Sequence, residues 1–228
     1  MNNNRLENYK MKSEPIGKGN FSSVYLAEDI KQQCEVAIKV SSHINMTKHE
    51  AFIMESYGNH PFLPKFYEFF IKESKAYIVM EYFPGVRIGH WNYHSTGKKR
   101  SKEDAILITL NILEGLQRLH QIGFAHHDLL PKNILIMNDN PNRIKLIDFG
   151  LAKPLNSEKN QRYKINDLSV AASMCIYLIN GVVSKPRIDD LESLEDDLKE
   201  VLFKAYHPNI EQRYQSAKEF IKALNPLV

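Results

Sequence analysis

The chain has 228 residues, 43% of them hydrophobic and 25% charged, with a formal net charge of +3. That length can hold one large domain or two small lobes with a real core, and the charge is too small to argue for a nucleic-acid surface. Cys34 and Cys175 lie far apart, without metal-ligand spacing or a disulfide framework, so each reads as a small apolar residue in a reducing compartment.

The N-terminus MNNNRLENYK has no apolar signal core, and no apolar run reaches membrane-spanning length. Tyr9–Ile16 reads as a strand entering the turn GKGN. SSVYLAE at Ser22–Glu28 and EVAIKVS at Glu35–Ser41 alternate and are rich in β-branched residues, which predicts two more strands. Lys48–Tyr57 reads as a short helix ended near Gly58, and Phe66–Ile71 and Ala76–Tyr82 as two further strands. From Lys102 the period becomes helical, with Ile106, Leu110, Leu113, Leu116, Gln117 and His120 on one stripe. Ser101 is the expected N-cap, Glu103 and Asp104 lie in the first turn, and Gly123 is the expected stop. Helices at Asn166–Asn180, Leu194–Ala205 and Ser216–Leu224 follow. The basic run Lys98-Lys99-Arg100 with Lys102 reads as the solvated start of a helix rather than a docking patch. The whole is an α+β chain, β-rich over residues 1–82 and helical over residues 83–228.

Two strings carry chemistry. HHDLLPKNILI at His126–Ile136 places the carboxylate of Asp128 five residues before the amide of Asn133, and IKLIDFGLAK at Ile144–Lys153 places Asp148 in an Asp-Phe-Gly turn. One carboxylate to orient a hydroxyl, with an amide and a second carboxylate to hold a divalent cation, suits phosphoryl transfer. These strings resemble the catalytic loop and metal-binding turn of eukaryotic-type (Hanks-type) serine/threonine protein kinases. The resemblance spans roughly residues 9–225 and implies a bilobal fold with Mg-ATP between the lobes, Mn²⁺ being an alternative ion.

The rest of the pattern falls in order. IGKGNFSSV at Ile16–Val24 resembles the glycine-rich loop, with Gly17 and Gly19 allowing close backbone approach to phosphates and Ser22 where a third glycine normally stands. VAIK at Val36–Lys39 suits the same pattern, and the resemblance implies that Lys39 would meet the α- and β-phosphates. A buried lysine needs a partner. Glu50 is preferred over Glu55, because the residue one turn beyond Glu50 is the apolar Met54, whereas Glu55 is followed by Asn59. The Lys39–Glu50 spacing is short, so the linker before the helix looks trimmed. AYIVMEYFPG at Ala76–Gly85 resembles the hinge, with Met80 as gatekeeper and the Glu81 carbonyl and Phe83 N–H toward adenine. Ile16, Val24, Ala37 and Leu135 would flank the ring. Phe66, Met54, His126 and Phe149 could stack as a hydrophobic column, or each be plain core, and His126 reads as structural.

Three departures stand out. His127 replaces the arginine that ordinarily binds an activation-loop phosphate, and Leu130 replaces the lysine that neutralises the transferring phosphate. Lys132 is nearby, at a position whose side chain in the family generally points away. Only Leu151–Asn166 separates the Asp-Phe-Gly turn from NDLSVAASMCIYLING, which resembles the central helix of the large lobe with Asp167 as its leading acid. There is no Ala-Pro-Glu, so the activation loop and peptide shelf look deleted, and Arg213 loses its usual acidic partner. Exposure or a substitute acid such as Glu158 is expected for it.

The resemblance therefore implies a minimal ATP-dependent Ser/Thr protein kinase without activation-loop control. Its partner would be a protein substrate docked outside the missing shelf, with no nucleic acid and no membrane. The expected state is a cytoplasmic monomer, or an effector delivered to a host cytosol. Two alternatives stay open: a small-molecule kinase of the aminoglycoside/choline-kinase type, and a nucleotide-binding pseudokinase scaffold.

Overall fold

A computed structural model of the chain describes residues 5–19, 21–90, 92–183 and 188–228. The chain divides into two compact units, Met1–His60 with Pro64–Pro84, and Pro61–Leu63 with Gly85–Val228. The boundary expected at 82/83 thus falls at 84/85, and the excursion at 61–63 was not expected. Hydrogen bonds explain the excursion. The Phe62 carbonyl accepts from the Leu146 N–H at 2.9 Å, and the Leu63 carbonyl from Lys145 Nζ at 3.1 Å.

The first unit is an antiparallel five-stranded sheet with one helix. Strands β1 (Tyr9–Lys18), β2 (Ser22–Asp29), β3 (Cys34–Ser41), β4 (Phe66–Lys72) and β5 (Lys75–Glu81) lie in the order β1-β2-β3-β5-β4. The five expected strands form, with ends shifted by one or two residues. Register sorts their side chains onto two faces. Ala27, Val36, Ile38, Phe70, Tyr77 and Val79 form a buried cluster on one face, closed by Leu6, Tyr9, Met11 and Val40. Strand alternation sends their neighbours to the other face, where Val24 lies opposite Lys39 and Ala37 opposite Met80.

Helix α1 (Ile44–Tyr57) starts four residues before the expected Lys48. Its first turn carries no side-chain N-cap signal. It closes instead on the His43 carbonyl, which accepts from the Thr47 N–H (3.0 Å) and Thr47 Oγ1 (2.9 Å). Gly58, with φ 68°, ends the helix as expected.

The second unit is mainly helical: α2 (Lys102–Gln121), α3 (Glu158–Asn180), α4 (Ile188–Leu191), α5 (Asp196–Ala205) and α6 (Ala217–Leu224). Short strands β6 (Val86–Arg87), β8 (Ile134–Ile136) and β9 (Ile144–Leu146) form one sheet, and β7 (Phe124–Ala125) pairs with β10 (Lys153–Pro154). Helix α2 packs against both α3 and α6. It therefore buries more than the expected stripe, including Ala105, Ile108, Thr109 and Ile112. Ser101 caps it as expected, accepting from the Asp104 N–H at 3.1 Å. Gly123, with φ 84°, turns the chain out.

Helix α3 begins at Glu158 rather than the expected Asn166, so Asp167 lies in its interior instead of leading it. Ser157 is the N-cap, accepting from the Asn160 N–H at 3.3 Å. The added turns, EKNQRYKI, are built of polar helix formers and show little apolar period, which hid them.

The connection before α2 depends on two glycines. A Cβ at Gly89 or Gly97 would overlap the hydroxyl of Tyr177, which stands fully buried on α3. The basic run nearby is not simply solvated. Arg100 bonds Asp139 at 2.7 Å, Lys98 pairs with the same carboxylate, and Lys102 bonds Glu195 at 2.7 Å.

The cysteines differ from one another. Cys34 is exposed on β3, against expectation, whereas burial pushes the Cys175 thiol up to about 12 and makes it a packing residue. Among the described residues no helix is long and apolar enough to cross a membrane.

Candidate active site

In the first unit the residues singled out by the pattern lie along three strands. Gly17 stands opposite Val24, and Val24 opposite Lys39. The turn between β1 and β2 closes through the Gly19 N–H on the Ser22 carbonyl at 2.9 Å; Asn20 lies outside the described residues. The far side of that turn is tied down. Ser41 Oγ donates to the Phe21 carbonyl at 2.6 Å and accepts from the His43 N–H at 3.0 Å, and the Phe21 and His43 rings meet edge to face at 4.8 Å. Ser22 sits in β2 opposite Ser41.

Lys39 is buried and bonds both oxygens of Glu50, at 2.9 and 2.7 Å. Helix α1 presents Glu50 inward because Met54, one turn on, is buried with it; Glu55 is exposed. The trimmed linker is real, with only two residues between β3 and α1. Ile16 is exposed at the end of β1, and Met80 and Glu81 are half-buried on β5, with the Glu81 N–H given to the Lys65 carbonyl at 2.8 Å. Phe83 lies beyond the last residue of β5, where the ladder has ended. Phe66 is half-buried on β4.

In the second unit Asp167 organises the loop that carries Asp128. Its carboxylate, almost wholly buried on α3, accepts from the His126 N–H (2.7 Å), the His127 N–H (2.9 Å) and the His120 ring (2.9 Å to Nε2). A buried carboxylate requires such donors. His127 adopts φ 64°, a conformation that costs energy in a non-glycine residue and persists because both flanking groups are held. Asn133 Nδ2 donates to the Asp128 carbonyl and to Asp128 Oδ2, both at 2.8 Å.

The Ile147 N–H bonds the Asn133 carbonyl at 2.9 Å, and β8 pairs with β9, so the strands flanking Asp128–Asn133 and Asp148 form one ribbon. Leu135 points to the less buried side of that ribbon, between Ile134 and Ile136. Asp148 is exposed with φ 69°, and Phe149 is buried, its ring 5.5 Å from that of His126. Burial holds the His126 imidazole below its ordinary value, against the pull of Asp167, Asp128 and Asp148. A neutral, packed ring agrees with the structural role expected for it.

His127 and Arg213 each find a contact other than the one the family pattern implies. His127 packs edge to face on Tyr163 of α3 at 4.9 Å. Arg213 is half-buried and meets a carbonyl instead of the expected substitute acid; its Nε donates to the His207 carbonyl at 2.7 Å. The Asn209-capped turn at Ile210–Gln212 folds that carbonyl back within reach. Sequence reasoning placed His120 on the helical stripe without a role, and placed the side chain of Lys132 away from the site. Lys132 Nζ instead stands 3.5 Å from Asp128 Oδ2. Its i,i+4 spacing from Asp128 across a tight turn was the available signal.

Comparison with known proteins agrees with this geometry. The model of the protein kinase domain family matches residues 10–176. A probable myosin light chain kinase of Dictyostelium discoideum is 34% identical over 65% of this chain and 47% of its own. An Aurora/IPL1-related protein kinase of Caenorhabditis elegans is 32% identical over 64% of this chain and 49% of its own. The serine/threonine-protein kinase PrkC of Bacillus subtilis is 35% identical over 62% and 22%. The chain thus spans about half the length, or less, of these curated relatives. The family match takes in the lysine–glutamate pair, the Asp128 loop and the Asp167 clamp together: the chain belongs to the protein kinase domain family.

Proposed function

We propose that the chain is an ATP-dependent Ser/Thr protein kinase, transferring the γ-phosphate to a hydroxyl of a protein substrate. The observation that carries this reading is the locked pair Asp128–Asn133. With its amide nitrogen committed to Asp128, Asn133 offers its oxygen to a cation, while Asp128 keeps a carboxylate oxygen for an acceptor hydroxyl. Asp128 orients that hydroxyl and takes its proton. Lys39, charged and aligned by Glu50, binds the α- and β-phosphates.

Asn133 and Asp148 would hold Mg²⁺ or Mn²⁺. Hard oxygen donors suit either ion, and no group of three or more His, Cys, Asp or Glu gathers among the described residues to cage a metal without substrate phosphates. When bound, the ion neutralises phosphate charge. The departures leave Lys39, Glu50, Asp128, Asn133 and Asp148 themselves in place, and the relatives are protein kinases rather than small-molecule kinases.

The test is incubation with labelled ATP, Mg²⁺ and protein substrates. The parent should transfer label. Asp148→Ala should abolish metal-dependent transfer with the fold intact. Asp128→Asn should keep ATP affinity and lose turnover by orders of magnitude. Unchanged transfer in the Asp148→Ala protein would sink the assignment.

A further inference from the structure

The Asp128 loop carries a cation where the family pattern lacks one. Leu130 occupies the position of the phosphate-neutralising lysine, and its side chain is aliphatic. Its backbone N–H bonds the Asp128 carbonyl at 2.9 Å, so the position is present but chemically silent. Two residues on, Lys132 Nζ lies 3.5 Å from Asp128 Oδ2, the same oxygen that receives Asn133 Nδ2. The two side chains of this ion pair are 17% and 16% exposed, well shielded for a lysine and an aspartate.

The placement is set by the backbone rather than by a wandering side chain. Pro131 opens the tight turn Pro131–Asn133, the Asn133 N–H closes it on the Leu130 carbonyl at 2.8 Å, and the Lys132 N–H is anchored on the His90 carbonyl at 3.1 Å. An exposed ion pair of this spacing ordinarily does little for stability. Here, however, the carboxylate is the one that would hold the acceptor hydroxyl, so a cation beside it stands next to the atoms that exchange the phosphoryl group.

We propose that Lys132 is the catalytic cation of this loop and takes over the task that Leu130 cannot perform. The inference rests on the phosphotransferase reading above. In the transfer, the acceptor oxygen bonds to the γ-phosphorus as the bond from that phosphorus to the β–γ bridging oxygen breaks. The electron pair of that bond leaves on ADP, and the hydroxyl proton passes to Asp128. Lys132 takes no part in the proton transfer and neutralises charge on the phosphoryl oxygens in flight. A preorganised charge at this point favours the transition state over the ground state.

The experiment compares the parent chain with Lys132→Met, Lys132→Arg and the double variant Leu130→Lys/Lys132→Met, each checked for folding by thermal unfolding. Two quantities are read: phosphotransfer kcat with the KM for ATP, and the affinity for Mg-ADP with and without aluminium fluoride, a planar phosphoryl mimic. Lys132→Met should lower kcat by roughly 10²-fold, as loss of one transition-state donor does. It should leave Mg-ADP affinity within about twofold and remove the gain that aluminium fluoride confers. Lys132→Arg should keep the gain, and the double variant should recover it by returning the charge to position 130. A Lys132→Met protein with parental kcat and a parental fluoride gain overturns the proposal. So does an equal loss of affinity for Mg-ADP and for its fluoride complex, which marks Lys132 as a structural partner of Asp128. A parent chain that neither binds Mg-ADP nor transfers phosphate overturns the phosphotransferase reading itself, and this inference with it.

Discussion

Single residues in this chain are held by the charges and hydrogen bonds that burial forces on them. His126 is the clearest case. It is fully buried, packed on Phe149, and burial lowers its pKa below that of an exposed imidazole. The unfolded chain therefore binds a proton that the folded chain does not, and stability is lost as pH falls from the unfolded value, near 6.5, toward the depressed folded value. Thermal unfolding followed from pH 7.5 to 5 should show Tm falling with pH, and His126→Phe should flatten that slope. A slope unchanged by the substitution would mean that other groups carry it. Lys39 illustrates the same logic for a cation. The residue was readable from VAIK, and the preference for Glu50 over Glu55 from the apolar Met54 one turn on; the Lys39–Glu50 bonds and the buried Met54 agree with it.

At the scale of elements, short connections are fixed by contacts that sequence periodicity does not reveal. The segment after the Asp-Phe-Gly turn is one. The Ala152 N–H closes on the Phe149 carbonyl, Lys153 and Pro154 pair with Ala125 and Phe124, and Ser157 then caps a helix that runs to Asn180. Ser157 spends its oxygen on the Asn160 N–H, and the Tyr163 ring packs on His127. A segment ordered by a cap and a ring contact has no need of a phosphate to pin it, and His127 is a poor phosphate clamp beside a guanidinium. The Ser157→Ala/Tyr163→Phe double variant should keep most of its activity, as should protein made with phosphatase, at a stability cost of about 1 kcal/mol for the lost cap. Loss of most activity in either preparation would refute phosphorylation-independence. The stretch before α2 makes a second case. Gly97→Ala should destabilise by roughly 1–3 kcal/mol, since the new methyl must displace the buried Tyr177 ring. Tyr177→Phe, which removes the nearest atom, should soften the effect in denaturant titrations.

For the molecule as a whole, the comparisons establish the family and the two units show how its parts are built. Under the proposed kinase function, substrate choice would turn on the short segment after the Asp-Phe-Gly turn. Helix α3 starts at Glu158, within a few residues of the β10–β7 pair, which leaves no long segment there to read residues beside an acceptor. We therefore expect a folded protein substrate, docked elsewhere on the surface, to be phosphorylated far better than a short peptide carrying the same acceptor. Equal kcat/KM for the two would contradict this.

Much of this protein was written locally. The five strands, the Ser101 cap, the stop at Gly58 and the two family motif strings were legible because period, turn residues and motif order are properties of neighbouring residues. What remained hidden depends on residues distant in sequence. The Asp167 carboxylate reaches across forty residues to bond His126 and His127, the 61–63 segment joins the second unit through bonds to 145 and 146, and Arg213 settles on a carbonyl instead of an acid. The early start of α3 and the inward Lys132 were hidden for a different reason, although both are local. A polar helix turn and a lysine four residues from an aspartate are ambiguous as strings, and packing chooses among their conformations because a buried polar group must find its partner wherever the fold brings one.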